Sequence, residues 1–229
     1  MKIIENAIAR GAGNLNEYES KRFLATYGIP ITRETIARSE EEVATKASEI
    51  GYPVVLKGSD EAFRHKTDLN LIALNLQDEK SVRRAYHQLV SRSKIKLEEV
   101  LVQEMIEEQR ELMVGLYRDP QFGPCVMFGL GGIFTEIVED IVFRVAPLTR
   151  KDAIEMLSEI KGEKILESFR GKPRVDRDEM ADILLALSQI GTDQPEIREI
   201  DINPIKLVNG RPVAVDALVV LQNPSQKGV

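Results

Sequence analysis

Strand-like and helix-like segments alternate along the whole 229-residue chain, and this alternation is the strongest constraint on its fold. Short apolar runs rich in β-branched side chains, such as PVVLK at 53–57, predict strands. Between them lie longer stretches with apolar residues at helical spacing, such as RKDAIEMLSEIKG after Thr149. This order indicates an α/β or α+β fold and argues against a helix bundle or a β-sandwich.

The second half of the chain is richer in strand-like runs than the first, so we expect a boundary near residues 95–100. We divide the chain into an N-terminal extension at 1–20, a first lobe at 21–98 and a second lobe at 99–229. The sequence contains no Gly/Ser-rich linker and no repeat of solenoid period, so the two lobes are expected to be directly connected.

Local signals predict where several elements begin. Ser39 and Glu42 form an S-x-x-E capping box, and Thr149 and Asp176 are suited to cap two later helices. In the segment LIALNL at 71–76, alternation predicts a strand whose residues Ile72, Leu74 and Leu76 form the mainly apolar face.

Composition excludes several classes of protein. The single cysteine, Cys125, excludes an internal disulfide and any cysteine-rich metal site. A net charge of −6 at pH 7 argues against nucleic acid as the main partner, because neutralising phosphates needs a basic face. No apolar run has the length of a membrane span or of a signal peptide, so we expect a cytoplasmic protein that does not enter a membrane.

The segment EIDINPI at 199–205 predicts a metal site. In a strand, Glu199, Asp201 and Asn203 project to one face. Three oxygen-bearing side chains on an otherwise apolar strand would repel one another or stay unsatisfied if they were buried alone. A hard cation such as Mg²⁺ takes oxygen ligands and removes this conflict. Asp216 on the next strand faces the same conflict, although an exposed polar sheet face would also explain the pattern.

Two further stretches could bind an anion, and each has a structural alternative. Lys57 ends an apolar strand, where it could bind phosphate or extend into solvent. Gly129, Gly131 and Gly132 lie within four positions, which suits either the approach of backbone N–H groups to an anion or a bulged strand turn. Arg144 lies in the strand-like run IVFRV, so we expect it to have a carboxylate or phosphate partner.

One of the two histidines, His65, stands between Arg64 and Lys66 in a turn-like segment. The neighbouring cations would lower the pKa of its imidazole and favour the neutral form near pH 7. A neutral imidazole is a nucleophile that can accept a phosphoryl group. A lone histidine is more often structural or exposed, and this is the expectation for the other one, His87.

Taken in order, these motifs resemble the ATP-grasp (beta) subunit of the NDP-forming acyl-CoA synthetases, in particular the archaeal ADP-forming acetyl-CoA synthetases. The resemblance runs through LNEYESKRFLATYGIP, GYPVVLK, HKTD, VQEMIEEQRELMVG, FGLGGIFTEIVEDIVFRVAPL, EIDINPI and VAVDA. It implies an ATP-grasp fold of two lobes with the nucleotide between them. It also implies an acetate–CoA ligase (ADP-forming) that uses ATP or ADP and Mg²⁺. The implied partner is a CoA-binding alpha subunit that carries a phosphohistidine, in a heterotetramer.

The resemblance implies roles for individual residues. In HKTD, His65 matches a histidine that relays phosphate, and Arg144 is similar to a phosphate contact. The implied magnesium ligands are Asn203 and Asp216, with Asp201 nearby. The implied nucleotide-binding residues are the phosphate lysine Lys57, the adenine hinge Gln103, Glu104, Met105 and Ile106, the ribose-binding Glu111, and Gly131 and Gly132.

The segment after Asp68 departs from the family pattern. Asn70 and Leu71 stand where relatives carry a glycine pair, and Ala73 stands where they carry a lysine. A second hypothesis is therefore a subunit of the same fold that binds nucleotide or stabilises its partner with little catalysis. A third is another ATP-grasp ligase that joins a carboxylate to an amine, although such a ligase needs no histidine relay.

Overall fold

The computed structural model describes residues 2–58, 71–93, 97–132, 140–168 and 170–222. The chain divides into two compact units. The large unit comprises Met1–Leu15, Glu19–Ile31 and Glu108–Val229, and the small unit comprises Asn16–Tyr18 and Thr32–Glu107. His65 lies outside the described residues.

The elements follow the alternating order that the sequence predicts. The helices are α1 (Lys2–Ala9), α2 (Glu17–Ala25), α3 (Glu40–Ile50), α4 (Glu79–Arg92), α5 (Arg150–Glu159) and α6 (Arg177–Asp193), with a 3-10 helix at Glu163–Leu166. The strands are β1 (Glu34–Ala37), β2 (Val54–Gly58), β3 (Ile72–Leu76), β4 (Val100–Glu104), β5 (Leu112–Asp119), β6 (Gly123–Leu130), β7 (Ile141–Val145), β8 (Ile197–Val208), β9 (Arg211–Ala214) and β10 (Ala217–Leu221). In the part of the chain that the structure describes, no helix is long and apolar enough to cross a membrane.

The small unit is built on an antiparallel sheet in which the described strands have the order β1-β4-β2-β3. The helices α3 and α4 pack against this sheet. Their apolar faces supply Val43, Ala47, Val82 and Leu89 to a core shared with strand residues such as Leu56. The amphipathic pattern of both helices thus determines which face they bury.

The predicted apolar face of β3 is wrong. Leu74 is 62% exposed, whereas Leu71 and Leu76 are buried in the core of the small unit. The pairing of β2 with β3 shifts register between Val54 and Leu56, and Asn75 has a positive φ of 58°. A one-residue irregularity exchanges the two faces of a strand, so simple alternation fails across it.

The large unit is built on a second antiparallel sheet. Its described strands have the order β10-β8-β5-β6-β7, and β9 also pairs with β8. The helix α6 packs on β5 and β6, and α5 packs on α6 and β7. A single large core forms between these helices and the inner sheet face, and it includes Leu116, Val126, Phe128, Leu184 and Leu187.

Most helix starts were predicted correctly from short sequence signals. Thr149 caps α5 in a reciprocal capping box with Asp152, and Asp176 accepts hydrogen bonds from the first turn of α6. The box predicted at Ser39 is only half formed. The Ser39 hydroxyl accepts from the backbone N–H of Glu42, but the Glu42 carboxylate accepts instead from the N–H of Arg38 at 2.9 Å.

The structure divides the chain at a different position from the expected boundary at 98/99. Because β4 pairs with both β1 and β2, it belongs to the small unit, and the division falls between Glu107 and Glu108. Nor is α1 a separate extension, since Ile4 and Ala7 are buried in the core of the large unit. Strand pairing between distant segments decides both points, and local composition does not report it.

We expect the two phenylalanines at either end of the β6 region to differ sharply in their effect on stability. Phe128 is fully buried, so Phe128→Ala should lower the free energy of unfolding by about 3–5 kcal/mol. Phe122 is 65% exposed, so Phe122→Ala should change it by less than about 0.5 kcal/mol. Urea denaturation of both variants measures the difference, and equal effects would contradict this assignment of the core.

Candidate functional site

One face of the sheet in the large unit carries a cavity of about 670 Å³. Its walls come from four adjacent strands and include Met113, Gly115, Tyr117, Cys125, Met127, Phe143, Glu199, Asp201 and Asn203. In β8 the intervening residues Ile200 and Ile202 are buried in the core. The alternation of β8 therefore brings its polar side chains to one cavity, as the sequence predicts.

The carboxylate of Asp201 lies in an environment that disfavours its charged form. Its pKa is raised to about 6, mainly by burial and in addition by the negative charges of Asp216 and Glu199. Gly115 lies opposite Asp201 in the β5–β8 pairing, and a Cβ at Gly115 would lie 2.8 Å from the carbonyl oxygen of Ile200. The glycine thus allows the strands to approach closely and leaves space beside Asp201 on the cavity face.

Asp216 reaches this group because the strand that follows the Asn209–Gly210 turn is interrupted. Ala214 at the end of β9 is paired with Ile205, and Ala217 at the start of β10 is paired with Ile202. Between them, the N–H of Val215 donates to the carbonyl oxygen of Pro204 at 3.0 Å. The negative charge of Asp216 raises the pKa of Asp201, so the two carboxylates lie near each other.

The donor set fits a hard divalent cation. Asp201 and Asp216 offer carboxylates, and Asn203 offers an amide oxygen. Among the described residues, no group of three His, Cys, Asp or Glu side chains is arranged to hold a metal ion. This does not conflict with Mg²⁺, which commonly takes one or two carboxylates from the protein and completes its shell with waters and phosphates. Burial first, and then the negative charges of Asp216 and Glu199, raise the pKa of Asp201 and so disfavour its charged form when no cation is bound.

Lys57 in β2 is buried and does not extend into solvent. Its side chain is 6% exposed, and its Nζ donates to Oε1 of Glu17 at 2.6 Å. The Glu17 side chain is 2% exposed. A buried ammonium group requires such a partner, because desolvating an unpaired charge costs several kcal/mol. To bind a phosphate, Lys57 would have to exchange or share this carboxylate.

The predicted adenine hinge is the last strand of the small unit and the residues after it. Gln103 is buried in β4 and lies opposite both Glu34 and Val55. The N–H of Glu104 donates to the carbonyl oxygen of Arg33 at 2.9 Å, and that of Met105 donates to Pro53 at 3.0 Å. These two donors are therefore used within the small unit, so an adenine contact would have to use backbone carbonyls or the N–H of Ile106.

Glu111 lies against the glycine segment of the large unit. The N–H of Gly131 donates to its carbonyl oxygen at 2.8 Å, and the Nζ of Lys206 lies 3.2 Å from its carboxylate. At Gly132, which has a φ of +65°, a Cβ would lie 2.4 Å from the carboxylate of Glu111. At Gly129 a Cβ would lie 2.6 Å from the carbonyl oxygen of Asp140. Close packing against backbone thus accounts for Gly129, and the left-handed backbone conformation accounts for Gly132. Residues 133–139 lie outside the described part of the chain.

Sequence reasoning missed a buried charge cluster beside Glu111. Glu108 and Arg110 are 9% and 7% exposed, and Arg110 lies 3.3 Å from the Glu108 carboxylate. Burial by itself would raise the pKa of Glu108, but hydrogen bonds from the backbone of Arg110 and from the side chain of Lys172 lower it to about 2. The run EEQRE reads as a solvated charged stretch, and only the tertiary contact with Lys172 reveals the cluster.

Arg144 does not line the cavity, and its role as a phosphate contact stays a prediction. Phe143 lines the cavity, so the next side chain along β7 points to the opposite face of the sheet. There Arg144 forms an ion pair with Glu159 at the end of α5. The expected carboxylate partner exists, but it belongs to the helix layer.

Comparisons with known proteins agree with this arrangement of sheets. Residues 6–221 match the ATP-grasp domain family. The beta subunit of acetate–CoA ligase [ADP-forming] I from Pyrococcus furiosus is 42% identical over 225 residues, which cover 96% of this chain and 97% of that protein. Some other curated relatives are longer, and the chain spans about a third of their length.

Two solved structures of an acetyl-coenzyme A synthetase 1 from Candidatus Korarchaeum cryptofilum are also similar. One, a complex with coenzyme A and Ca-AMPCP, has a TM-score of 0.93 at 41% identity. Another, at a TM-score of 0.85 and 40% identity, is a complex with coenzyme A and Mg-AMPPCP in which a phosphohistidine segment points towards the nucleotide binding site. Each covers 96% of this chain, and this chain covers 99% of each. The chain therefore has the ATP-grasp fold and belongs to the ATP-grasp family of beta subunits of ADP-forming acyl-CoA synthetases.

Proposed function

We propose that this chain is the nucleotide-binding subunit of an ADP-forming acetyl-CoA synthetase, an acid–thiol ligase. The complex would interconvert acyl-CoA, ADP and phosphate with the free acid, ATP and CoA. The observation that carries the proposal is that Asp201 and Asn203 line one cavity and that Asp216 is near enough for its charge to raise the pKa of Asp201. It occurs in a chain that spans 97% of a curated beta subunit with this activity.

The proposed partner is a CoA-binding alpha subunit that carries a phosphohistidine, in a hetero-oligomer located in the cytoplasm. The related complex contains coenzyme A, a magnesium nucleotide analogue and a phosphohistidine segment directed at the nucleotide site. The described residues that supply oxygen ligands here suit the same kind of metal–nucleotide complex. ATP or ADP and Mg²⁺ are accordingly the proposed cofactors.

Phosphoryl transfer requires mainly positioning and charge neutralisation. Asp201, Asn203 and Asp216 would hold Mg²⁺, which neutralises charge on the transferring phosphoryl group. The family resemblance implies that Lys57 binds phosphate, which would require it to leave or share the carboxylate of Glu17. In the direction of ATP synthesis, a nitrogen of neutral His65 attacks the phosphorus of the partner's phosphohistidine, and that N–P bond breaks. An oxygen of ADP then attacks phosphorus on His65, which yields ATP and regenerates the imidazole.

A second candidate is a subunit of the same fold that binds nucleotide but catalyses little. The observation that favours it is the environment of Leu71, which stands where relatives carry a glycine. Leu71 is 1% exposed and packs in the core of the small unit, and its carbonyl oxygen accepts from the N–H of Gly58 at 2.9 Å. A core leucine cannot wrap its backbone around phosphates as a glycine pair does.

The histidine relay predicts a phosphorylated His65. With the CoA-binding partner, acetyl-CoA and labelled phosphate, an acid-labile label should appear on this chain. His65→Asn should abolish the label and lower turnover at least about 100-fold, because it removes the nucleophile.

His87 provides a matched control, since its side chain is 65% exposed and lies 3.1 Å from Glu40. His87→Asn should keep both label and turnover. A His65→Asn subunit that turns over normally would reject the relay.

Nucleotide binding can be separated from catalysis by thermal melting of the subunit alone. Mg-ADP at about 100 times its dissociation constant should add about 2.7 kcal/mol to the free energy of unfolding. For a chain of this size that corresponds to a rise of about 5–10 °C in Tm. A rise in Tm, together with no turnover when the partner subunit is present, would favour the second candidate. No shift at millimolar Mg-ADP would contradict nucleotide binding by this chain.

The pKa of Asp201 predicts a pH-dependent stability in the metal-free chain. The pKa is about 6 in the folded chain and 3.8 for an unperturbed aspartate side chain, so the folded state binds more protons between these values. The free energy of unfolding should therefore fall as pH rises from about 4 to 6, by at most about 3 kcal/mol. Asp201→Asn should remove this fall and leave the metal-free chain more stable than the unmodified chain at pH 8.

The same substitution should remove the stabilisation that Mg²⁺ gives, because it removes a ligand. Urea denaturation at pH 5 and pH 8, with chelator and with Mg²⁺, measures both effects. Asp193→Asn is the control, since Asp193 is an exposed carboxylate at the end of α6. An Asp201→Asn chain that is less stable at pH 8 without metal would contradict the crowded-carboxylate interpretation.

A further inference from the structure

We propose that Lys21 is a positioning residue of the metal site, because its buried ammonium group fixes the strand interruption that presents Asp216. The inference rests on the proposed function in one respect, namely that Asp216 is a magnesium ligand. It concerns only contacts within the large unit.

The burial of Lys21 is unusual and requires an explanation. It is 0% exposed, and its neighbours Phe23 and Leu24 in α2 belong to the hydrophobic core. Lysine is almost never fully buried unless it is paired, since taking an ammonium group out of water costs several kcal/mol. An apolar residue would fill the same place in the core without this penalty. The position therefore demands a specific polar contact.

One such contact is a hydrogen bond to the backbone just before Asp216. The Nζ of Lys21 donates to the carbonyl oxygen of Val215 at 3.0 Å, across 194 residues of sequence. The Val215 N–H donates to Pro204 in β8, so both backbone groups of Val215 are held. The carbonyl of Val215 shares a planar peptide unit with the N–H of Asp216. Holding this oxygen therefore fixes the orientation of the backbone from which the Asp216 side chain projects.

The position of Lys21 is itself fixed on β10, the strand that follows Asp216. The hydroxyl of Ser20 accepts from the N–H of Val219 at 3.1 Å, and the N–H of Leu15 donates to the carbonyl oxygen of Val219 at 2.9 Å. These bonds attach the start of α2 to β10. Lys21 thus donates to Val215 from a helix whose start is itself hydrogen-bonded to β10.

The test uses the full chain with Mn²⁺ as the probe, and electron paramagnetic resonance measures free Mn²⁺. Lys21→Met should weaken Mn²⁺ binding at least about tenfold, which is the usual effect of removing a group that orients a metal ligand. Lys21→Arg, which keeps a cationic donor, should restore the affinity to within about threefold. Ser20→Ala removes a neighbouring bond to β10 and should lower Tm without changing Mn²⁺ affinity.

A metal-free readout separates positioning from general stability. With chelator present, amide hydrogen exchange at residues 214–217 should be faster in Lys21→Met than in Ser20→Ala at equal distance below Tm. If Lys21 served only to pack the core, Lys21→Met would accelerate amide exchange throughout the large unit instead. Lys21→Gln, whose shorter side chain retains an N–H donor but does not reach as far, replaces Lys21→Met if that variant does not fold.

Asp216→Asn distinguishes failure of this inference from failure of the proposed function. If Asp216→Asn loses Mn²⁺ affinity while Lys21→Met binds normally, only the role of Lys21 is overturned. If Asp216→Asn also binds normally, the assignment of the metal ligand is overturned. If both Asp216→Asn and Lys21→Met lose Mn²⁺ affinity and Lys21→Arg keeps it, the result supports the inference.

Discussion

The pairing of β8 with its neighbours is the constraint on which the large unit depends. This strand pairs with β5 along one edge and with β9 and β10 along the other. Its inward residues, such as Ile200 and Ile202, anchor the core, so its register cannot slip without exposing them. The same register determines which side chains share the cavity. Stability and the candidate metal site are therefore encoded in one strand.

The burial that holds β8 in place also disfavours the charged form of the carboxylates on that strand. The raised pKa of Asp201 measures the conflict. A cation bound at the site would relieve it. In the same unit, the buried ammonium group of Lys21 donates to the carbonyl oxygen of Val215. In the small unit, Lys57 is compensated by Glu17. Both lysines are buried cations on or near segments that the family resemblance places in catalysis, and each is held by a specific oxygen.

Much of the local structure could be predicted from the sequence. The caps at Thr149 and Asp176 depend on hydrogen bonds within one helical turn, and the shared face of Glu199, Asp201 and Asn203 follows from the strand period. Alternation failed only where the chain departs from regular geometry, at the register shift opposite β3. The order of the motifs was specific enough to identify the family, and the ATP-grasp domain match covers residues 6–221.

By itself the sequence determined the order of elements, the polar face of β8 and the family, because these depend on local periodicity and on motif order. Only the tertiary structure decided which charges are buried and what they contact. Lys21 lies among charged residues in the run ESKR, yet it is fully buried and donates to Val215. The sequence leaves open whether Arg144 pairs with a carboxylate or a phosphate, and the structure pairs it with Glu159 of the helix layer. Contacts between residues far apart in the chain determine the solvation of a charge, and no local pattern records them.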